Sequence, residues 1–225
     1  MLYIVSTPIG NLDDMSHRAV DVLRQVDVIV AEDSRRTYIL SNRYGLNAKK
    51  IVVFNEHNEH KELPRIIGLL KEGKTIALTT DSGTPGISDP GFLVVREAVK
   101  EGIKVSPVPG PCAFVSALVC SGLPCEKFVF CGFISKKPGQ KKEMLENAKE
   151  SLTTTVFYES PHRIEKTLAD IAAIMPDRNI VIARELTKRH EEFARGTAAE
   201  VFRNFKEQAV KGEIVVVVAG KPKGD

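Results

Sequence analysis

The sequence predicts an α/β protein of two α/β lobes, with a mainly parallel sheet in the N-terminal lobe and a mixed sheet in the C-terminal lobe. Three observations favour this fold class. Strand-like and helix-like segments alternate along the 225 residues. Apolar runs such as VDVIVAED at 26–33 and KTIALTT at 74–80 are nearly continuous, as in parallel strands buried on both faces. Glycine and proline in SGLPCEK, at 121–127, interrupt the pattern and place a boundary between lobes 1–121 and 122–225.

The first lobe is predicted to alternate five strands with five helices. The strands are short apolar runs, and the helices are longer segments with apolar residues at helical spacing. Ser16 stands where an N-cap is expected, because its hydroxyl can accept from a free backbone N–H of the first turn. The predicted strands are 2–6, 27–33, 50–54, 74–80 and 103–108, and the predicted helices are 16–26, 35–43, 59–72, 91–101 and 112–121.

The second lobe is predicted from the same signals. Ser160 followed by Pro161 marks one helix start, and Thr197 before AAEVF marks another. The predicted strands are 128–133, 153–160, 179–186, a short one near 191–195 and 213–220, and the predicted helices are 138–150, 161–174 and 197–208.

Composition favours a cytoplasmic globular protein. Hydrophobic residues make up 43% of the chain and charged residues 27%. No run approaches the roughly 20 apolar residues of a membrane span, and no basic segment precedes the apolar start, so we expect no membrane contact. The net charge of +3 permits a nucleic-acid partner without arguing for one.

The four cysteines do not predict a metal site. Cys112, Cys120, Cys125 and Cys131 lie within twenty residues of one another, but their spacing matches no zinc motif. Free cysteine usually behaves as a small buried hydrophobe, and we expect that role here.

Four loops follow predicted strands and are rich in glycine, proline and hydroxyl side chains. Because ligands of open α/β sheets bind outside the carboxyl ends of strands, these loops are predicted to form one binding edge. The chain has no GxGxxG, no GxxxxGK[ST] and no GxSxG, so dinucleotide, P-loop and α/β-hydrolase classes lose support. The loops are STPIGN at 6–11, EDSRRT at 32–37, DSGTPGISDPG at 81–91 and PVPGPCA at 107–113.

Eight motifs, in this order, carry a family resemblance: YIVSTPIGNLDD, AEDSRRT, TDSGTPGISDPG, VPGPCA, SGLP, CGF, VFYESPHR and ARELTKRHEE. Together they resemble the ribosomal small-subunit cytidine 2'-O-methyltransferases of the tetrapyrrole methylase superfamily, over Leu2 to Gly220. The resemblance implies an enzyme, commonly a homodimer, that binds S-adenosylmethionine in a cleft between its lobes. It also implies methylation of a cytidine ribose in the decoding region of 16S rRNA, with 16S rRNA or the small ribosomal subunit as partner.

The resemblance further implies which residues contact the cofactor. Such a site needs an apolar slot for adenine, exposed backbone groups and tolerance of the positive sulfonium, which a glycine-rich loop beside a carboxylate can supply. The positions that match the family are Pro8, Ile9, Asp81, Ser82, Gly83, Thr84, Pro85, Ile87, Cys112, Ala113, Glu159 and Leu186.

The catalytic base stays unassigned. A ribose hydroxyl is a poor nucleophile, so a general base within hydrogen-bond reach would help. Glu32 and Asp33 precede two arginines, where they either serve as base and phosphate holder or form an ion pair that caps the next helix. Glu159 and His162 in YESPHR are further candidates, although a single loop histidine is more often structural.

Basic residues in several loops are candidates for phosphate contacts, which position RNA without reading its sequence. Each pair alone is also typical of a solvated face, and the segment SKKPGQKK at 135–142 is the best of them. The candidates are Arg35, Arg36, Lys136, Lys137, Lys141, Lys142, His162, Arg163, Lys188 and Arg189.

Members of this family often continue past the last strand into a small helical extension, whereas this chain stops at AGKPKGD. Either the protein is a short form or the chain is truncated, and RNA affinity would fall if the extension holds RNA. Other functions stay open: methylation of a tetrapyrrole or of a modified histidine, RNA binding without catalysis, or hydrolysis by Ser82 and His162.

Overall fold

The computed structural model describes residues 1–46, 50–205 and 211–222. The chain separates into two compact units, Met1–Cys112 and Ala113–Asp225. The boundary expected from the sequence, at 121, differs from this division by one helix. That helix, α5 (Ala113–Cys120), contacts strands of the second unit, which is why the structural boundary precedes it.

The first unit contains a five-stranded parallel sheet, as the sequence predicts. Its strands follow the order β3-β2-β4-β1-β5, and every neighbouring pair is parallel. The parallel arrangement places the carboxyl ends of all five strands at one edge. The strands are β1 (Leu2–Val5), β2 (Val28–Ala31), β3 (Lys50–Val53), β4 (Ile76–Leu78) and β5 (Val105–Val108).

Both faces of this sheet are buried, which explains its continuous apolar strands. Successive side chains of a strand point to opposite faces. Val28 and Val30 therefore belong to one apolar cluster, and Ile29 between them belongs to the other. The helices of the unit are α1 (His17–Gln25), α2 (Ser34–Tyr44), α3 (Glu59–Lys71) and α4 (Phe92–Lys100), with a short 3₁₀ helix at Leu12–Asp14 that the sequence reading did not include.

The second unit contains a mixed sheet, which confirms the predicted fold class. Its order is β6-β7-β10-β8-β9, where only β6 and β7 are parallel neighbours. The strands are β6 (Phe128–Phe133), β7 (Thr154–Glu159), β8 (Asn179–Arg184), β9 (Glu192–Thr197) and β10 (Ile214–Val218).

One apolar cluster unites this sheet with three helices. Phe157 of β7 and Val216 of β10 are fully buried in it, together with Leu145, Leu168 and Val201 of the helices. The helices are α6 (Pro138–Glu150), α7 (Ile164–Ile174) and α8 (Ala198–Phe205), and residues 206–208 of the predicted last helix lie outside the described residues.

Two of the helix starts predicted from capping residues agree with the structure, and a third differs. Ser16 accepts a hydrogen bond from the Ala19 N–H at 3.1 Å, and Thr197 exchanges hydrogen bonds with Glu200 in a capping box. The prediction that a helix starts at 161 is wrong by three residues. The N–H groups of Arg163 and Ile164 both donate to the Ser160 carbonyl, which forms a turn before α7 begins.

The expectation of buried cysteines is wrong. Cys120 and Cys125 are exposed, and Cys112 and Cys131 are half-buried. Cys112, Cys120 and Cys125 occur at or beside the ends of α5 or in the loop before β6, and Cys131 of β6 packs against the edge of the second core. Within the described ranges, no group of three metal-ligating side chains comes together, and no helix is both long and apolar enough to cross a membrane.

Replacing Phe157 with Ala should destabilise the protein by about 3–5 kcal/mol, because the change leaves a cavity in the second core. The matched control is Phe133→Ala in the same sheet, where the ring is 60% exposed and the expected loss is below about 1.5 kcal/mol. Denaturant unfolding measures both free energies. Equal losses would contradict the placement of the core.

Candidate functional site

Four loops of the first unit meet at the carboxyl edge of its parallel sheet, which confirms the predicted arrangement. They follow β1, β2, β4 and β5, four neighbouring strands in the order β2-β4-β1-β5. We call this cluster of residues 6–11, 32–33, 79–91 and 109–112 the loop edge. Short hydrogen bonds join each loop to its neighbour.

The loops after β1 and β4 are joined by a two-way backbone bridge. The Thr7 N–H donates to the Gly83 carbonyl at 2.8 Å, and the Gly83 N–H donates to the Thr7 carbonyl at 3.1 Å. The buried Thr7 hydroxyl also donates to the Thr80 carbonyl at 3.0 Å. Gly83 has a φ of +86°, a conformation that favours glycine, so the bridge depends on residue type at this position.

The loop after β5 is held by hydroxyl groups. Ser6 and Thr84 share a hydrogen bond of 2.9 Å, and the Thr84 hydroxyl lies 3.1 Å from the Pro111 carbonyl. Gly110 packs directly on Ser6, since a Cβ atom added to Gly110 would lie only 2.9 Å from the Ser6 Cβ. Three of the loops therefore form one closely packed body.

The loop after β2 adds carboxylates to this body. Glu32 accepts hydrogen bonds from the Thr80 hydroxyl at 2.7 Å and from the Asp81 N–H at 3.2 Å. The Asp33 N–H donates to Asp81 at 3.1 Å. Three carboxylates thus converge on one end of the loop edge.

These carboxylates differ in their proton affinity. The Arg35 guanidinium and backbone N–H hydrogen-bond to Asp33 and lower its pKa to about 2. Although Asp81 is an exposed residue, neighbouring protein atoms partly desolvate its carboxylate, and this desolvation, reinforced by the charge of Glu32, raises the pKa of Asp81. Asp33 also caps α2, so its geometry is that of the capping ion pair, one of the two alternatives that the sequence left open.

The loop edge collects the predicted cofactor residues of the first unit. Pro8 and Ile9 are buried directly after the bridge residue Thr7. The others share the loops after β4 and β5: Asp81 is exposed, Gly83 and Pro85 are buried, and Ser82, Thr84, Ile87 and Cys112 are half-buried.

The predicted site residues of the second unit have other surroundings. Ala113 begins α5. Glu159 is buried, and its carboxylate accepts from the Thr167 hydroxyl at 2.5 Å, the Ser160 N–H at 2.6 Å and the Arg163 guanidinium at 2.6 Å. Glu159 therefore anchors the start of α7, a role that leaves little of its carboxylate for a ligand.

Leu186 is buried in a strained turn. Its neighbours Glu185 and Thr187 have φ values of +51° and +64°, which side chains with a Cβ rarely adopt. Lys188, predicted to contact RNA, bridges Glu185 at 2.9 Å and Glu213 at 3.2 Å, so it braces this turn. Arg189 next to it is exposed.

The remaining predicted basic residues fall into two groups. Arg35 and Arg36 are exposed in the first turn of α2, beside the loop edge. Lys136, Lys141, Lys142, His162 and Arg163 line a groove of about 790 Å³ in the second unit, whereas Lys137 does not.

Sequence reasoning missed two lysines of that groove, Lys149 and Lys166. The signal was present in their spacing. Lys149 lies seven residues after Lys142 in α6, which is two helical turns on the same face. Lys166 lies on α7, which follows β7. Because β7 is the sheet neighbour of β6, which precedes α6, the two helices were expected to be neighbours.

Comparison with known proteins identifies the family to which this two-unit chain belongs. Residues 1–201 match the family of Tetrapyrrole (Corrin/Porphyrin) Methylases, and the chain belongs to that family. Among curated proteins it is similar to ribosomal RNA small subunit methyltransferase I of Halalkalibacterium halodurans, with 48% identity over 97% of this chain and 75% of the relative. The protein of the same name from Thermotoga maritima is 47% identical over 98% of both chains.

Solved structures agree on the fold. The methyltransferase CobJ matches with a TM-score of 0.73 and 18% identity, over 99% of this chain and 96% of that one. Diphthine synthase matches with a TM-score of 0.68 and 17% identity, over 97% and 89%. At these identities the likeness concerns the fold alone.

S-adenosylmethionine is the methyl donor of this family, and the loop edge fits its chemistry. The donor carries a positive sulfonium and an ammonium group, which the carboxylates Glu32 and Asp81 can attract. Ile9 offers apolar surface, and the glycine-rich loop offers backbone N–H and carbonyl groups.

Gly110→Ala should lower donor affinity by about tenfold or more, because the new Cβ must displace Ser6 and with it the Ser6–Thr84 hydrogen bond. Gly68→Ala in α3 is the control, since a Cβ there meets nothing within 4 Å. Titration calorimetry with S-adenosylmethionine measures both affinities. An unchanged affinity of the Gly110→Ala variant for S-adenosylmethionine would show that the contact between Gly110 and Ser6 does not contribute to donor binding.

Asp33→Asn should keep the helix cap but lose the ion pair with Arg35. Because the folded pKa of about 2 lies below the ordinary 3.8, the ion pair stabilises the parent above pH 3.8. The stability difference between parent and variant should therefore narrow as the pH falls from 3.8 toward 2. Denaturant unfolding at a series of pH values measures this difference in unfolding free energy. A difference that does not change with pH would show that ionisation of Asp33 does not contribute to stability.

Proposed function

We propose that the chain transfers a methyl group from S-adenosylmethionine to the 2'-hydroxyl of a cytidine ribose in the decoding region of 16S rRNA. The observation that carries the proposal is the Thermotoga maritima relative, a ribosomal RNA small subunit methyltransferase I that is 47% identical over 98% of both chains. The choice of a cytidine ribose comes from the resemblance carried by all eight motifs, in which AEDSRRT and YESPHR favour RNA as the acceptor.

The loop edge is the proposed donor site. Pro8, Ile9 and Ile87 supply apolar surface for the adenine, and the backbone of 81–85 supplies hydrogen-bonding groups for the polar tail. Cys112 and Ala113 extend the site along the loop after β5. The hydrogen bonds among the loops hold these groups in place before the donor arrives, which lowers the entropy cost of binding.

The carboxylates of the loop edge favour donor over product. S-adenosylmethionine carries a sulfonium charge, and the product S-adenosylhomocysteine is a neutral thioether at sulfur. Negative charge at Glu32 and Asp81 therefore attracts the donor more strongly than the product. This attraction favours exchange of product for donor, but it does not accelerate transfer, because the sulfonium charge is dispersed in the transition state.

Methyl transfer is an in-line displacement. The bond from the ribose oxygen to the methyl carbon forms as the sulfur–methyl bond breaks, and the hydroxyl proton leaves to a base or to water. Asp33 is a poor base because of its lowered pKa, and the carboxylate of Glu159 is occupied by three internal donors. Holding the ribose in line with the donor is therefore the main contribution that we assign to the protein.

Arg35 and Arg36 are proposed to position the RNA near the loop edge. Arg35 is held by Asp33, and Arg36 beside it forms no ion pair with the described residues. Both are exposed in the first turn of α2. A backbone phosphate at this helix start would meet two guanidinium groups and the positive end of the helix.

Other members of the wider family act on other substrates. Sequence identity to this chain is the basis on which we choose among these alternative acceptors. CobJ and diphthine synthase are only 18% and 17% identical to this chain, whereas relatives named for small-subunit ribosomal RNA reach 48%. RNA is therefore the favoured acceptor over a tetrapyrrole or a modified histidine. We further propose a homodimer, as the resemblance implies, and a cytoplasmic location, as the composition indicates.

The test is methyl transfer from labelled S-adenosylmethionine to small ribosomal subunits and to free 16S rRNA prepared without this modification. We expect label in small-subunit RNA, none in large-subunit RNA as the control, and an alkali-resistant dinucleotide that begins with cytidine. Label on a base would refute the ribose assignment, and an unlabelled RNA would refute the RNA substrate.

A further inference from the structure

We propose that the groove between α6 and α7 binds the sugar-phosphate backbone of a single RNA strand. The inference rests on the proposed RNA substrate and adds a second contact surface, distinct from the loop edge. We call it the basic groove, and its cationic side chains are Lys136, Lys141, Lys142, Lys149, Arg163 and Lys166.

The groove follows from the order of the strands. β6 and β7 are parallel neighbours, and each leads into a helix, α6 and α7. Since both helices return from the same edge of the sheet, their N-termini lie at the same end of the groove. The presence of Lys136 before α6 and of Arg163 before α7 in one lining confirms this.

Facing stripes of the two helices supply the charges. On α6, Lys142, Glu146 and Lys149 are spaced by four and three residues, so they share one face. On α7, Lys166 and Asp170 are spaced by four and share the facing side. The two helices contact each other, so the stripes form the opposite walls of the groove.

The groove concentrates the positive charge of the chain. Six cationic side chains and two carboxylates line it, a balance of +4, whereas the whole chain carries +3. Two of these cations have internal partners, since Lys141 pairs with Asp170 of the lining and Arg163 pairs with the buried Glu159. Lys136, Lys142, Lys149 and Lys166 form no ion pair with any described residue, so they remain available to an anion.

Both helix starts strengthen this preference for anions. Neither Lys137, the N-cap residue of α6, nor Arg163, that of α7, provides a side-chain hydrogen bond to its first turn. The positive end of each helix dipole, without a capping side chain, therefore faces the same end of the groove. Lys136 and His162 lie at that end.

The lining points to phosphates rather than bases as the ligand. The described residues that line the groove include no Phe or Tyr on which a base could stack, and His162 is their one aromatic side chain. Lysine heads on long aliphatic stems hold phosphates at variable positions without reading sequence. The groove would thus hold the RNA backbone without selecting its bases.

The test is the double variant Lys142→Gln and Lys166→Gln, which removes one charge from each wall. Its control is Lys61→Gln with Lys127→Gln, which removes the same charge from exposed positions outside the groove. Binding of a labelled single-stranded oligocytidylate RNA is measured by fluorescence anisotropy at several salt concentrations. Methyl transfer to small ribosomal subunits is measured in parallel.

We expect the groove variant to bind RNA about tenfold more weakly, and its salt slope to fall by about 1.4, at about 0.7 for each lost phosphate contact. For methyl transfer, KM for the subunit should rise with kcat nearly unchanged, and the control should match the parent. Donor affinity should be the same in all three proteins.

The outcomes separate this inference from the proposed function. A groove variant that binds and methylates RNA like its control would overturn the groove and leave the function standing. A parent that fails to bind the probe would also overturn it. Weaker RNA binding by the groove variant, with the control unchanged, would support the groove. This holds even if the parent methylates no small-subunit RNA. Absence of methylation by the parent would refute the proposed function.

Discussion

The backbone bridge between Thr7 and Gly83 is the interaction on which the proposed donor site depends. It is the point where the loops after β1 and β4 become one body, and the hydroxyl contacts of Ser6 and Thr84 then attach the loop after β5. Ser6, Thr7 and Gly83 are buried and Thr84 is half-buried, so an unmade hydrogen bond of a buried group here would cost about 1–3 kcal/mol. Loops linked in this way have few alternative conformations. They can therefore present backbone groups to a ligand at fixed positions, although the loops are not themselves helices or strands.

Much of this architecture was predictable from the sequence, because it depends on local signals. Continuous apolar runs predicted the strands buried on both faces, and capping residues such as Ser16 and Thr197 predicted two helix starts. The clustering of loops at one sheet edge followed from the general rule for parallel strands. The start of α7 was misplaced, because Ser160 and Pro161 make a turn first, and no local signal distinguishes such a turn from a helix N-terminus.

Contacts between distant residues could not be predicted in this way. Glu159 was a candidate base because of its place in YESPHR, yet its carboxylate is bound by Thr167 and Arg163 and is an internal anchor. Lys188 was expected to be a free surface cation. In the structure it forms an ion pair with Glu213, which lies 25 residues later in the sequence. In both cases a titratable side chain found its partner through tertiary structure. Residue type and position relative to a strand therefore identify candidates, and only the packed structure separates free charges from occupied ones.

The distribution of charge explains why the composition said so little about function. The donor is a cation at its reactive centre and the proposed acceptor is a polyanion, so one surface of uniform charge cannot suit both. The chain meets this constraint by dividing its charges: carboxylates converge at Glu32 and Asp81, and lysines line the groove between α6 and α7. The net charge of +3 sums all 32 basic and 29 acidic residues of the chain, so it reveals neither local concentration of charge. Screening over about 8 Å at physiological salt keeps such fields local, so each ligand responds to the surface it meets rather than to the protein as a whole.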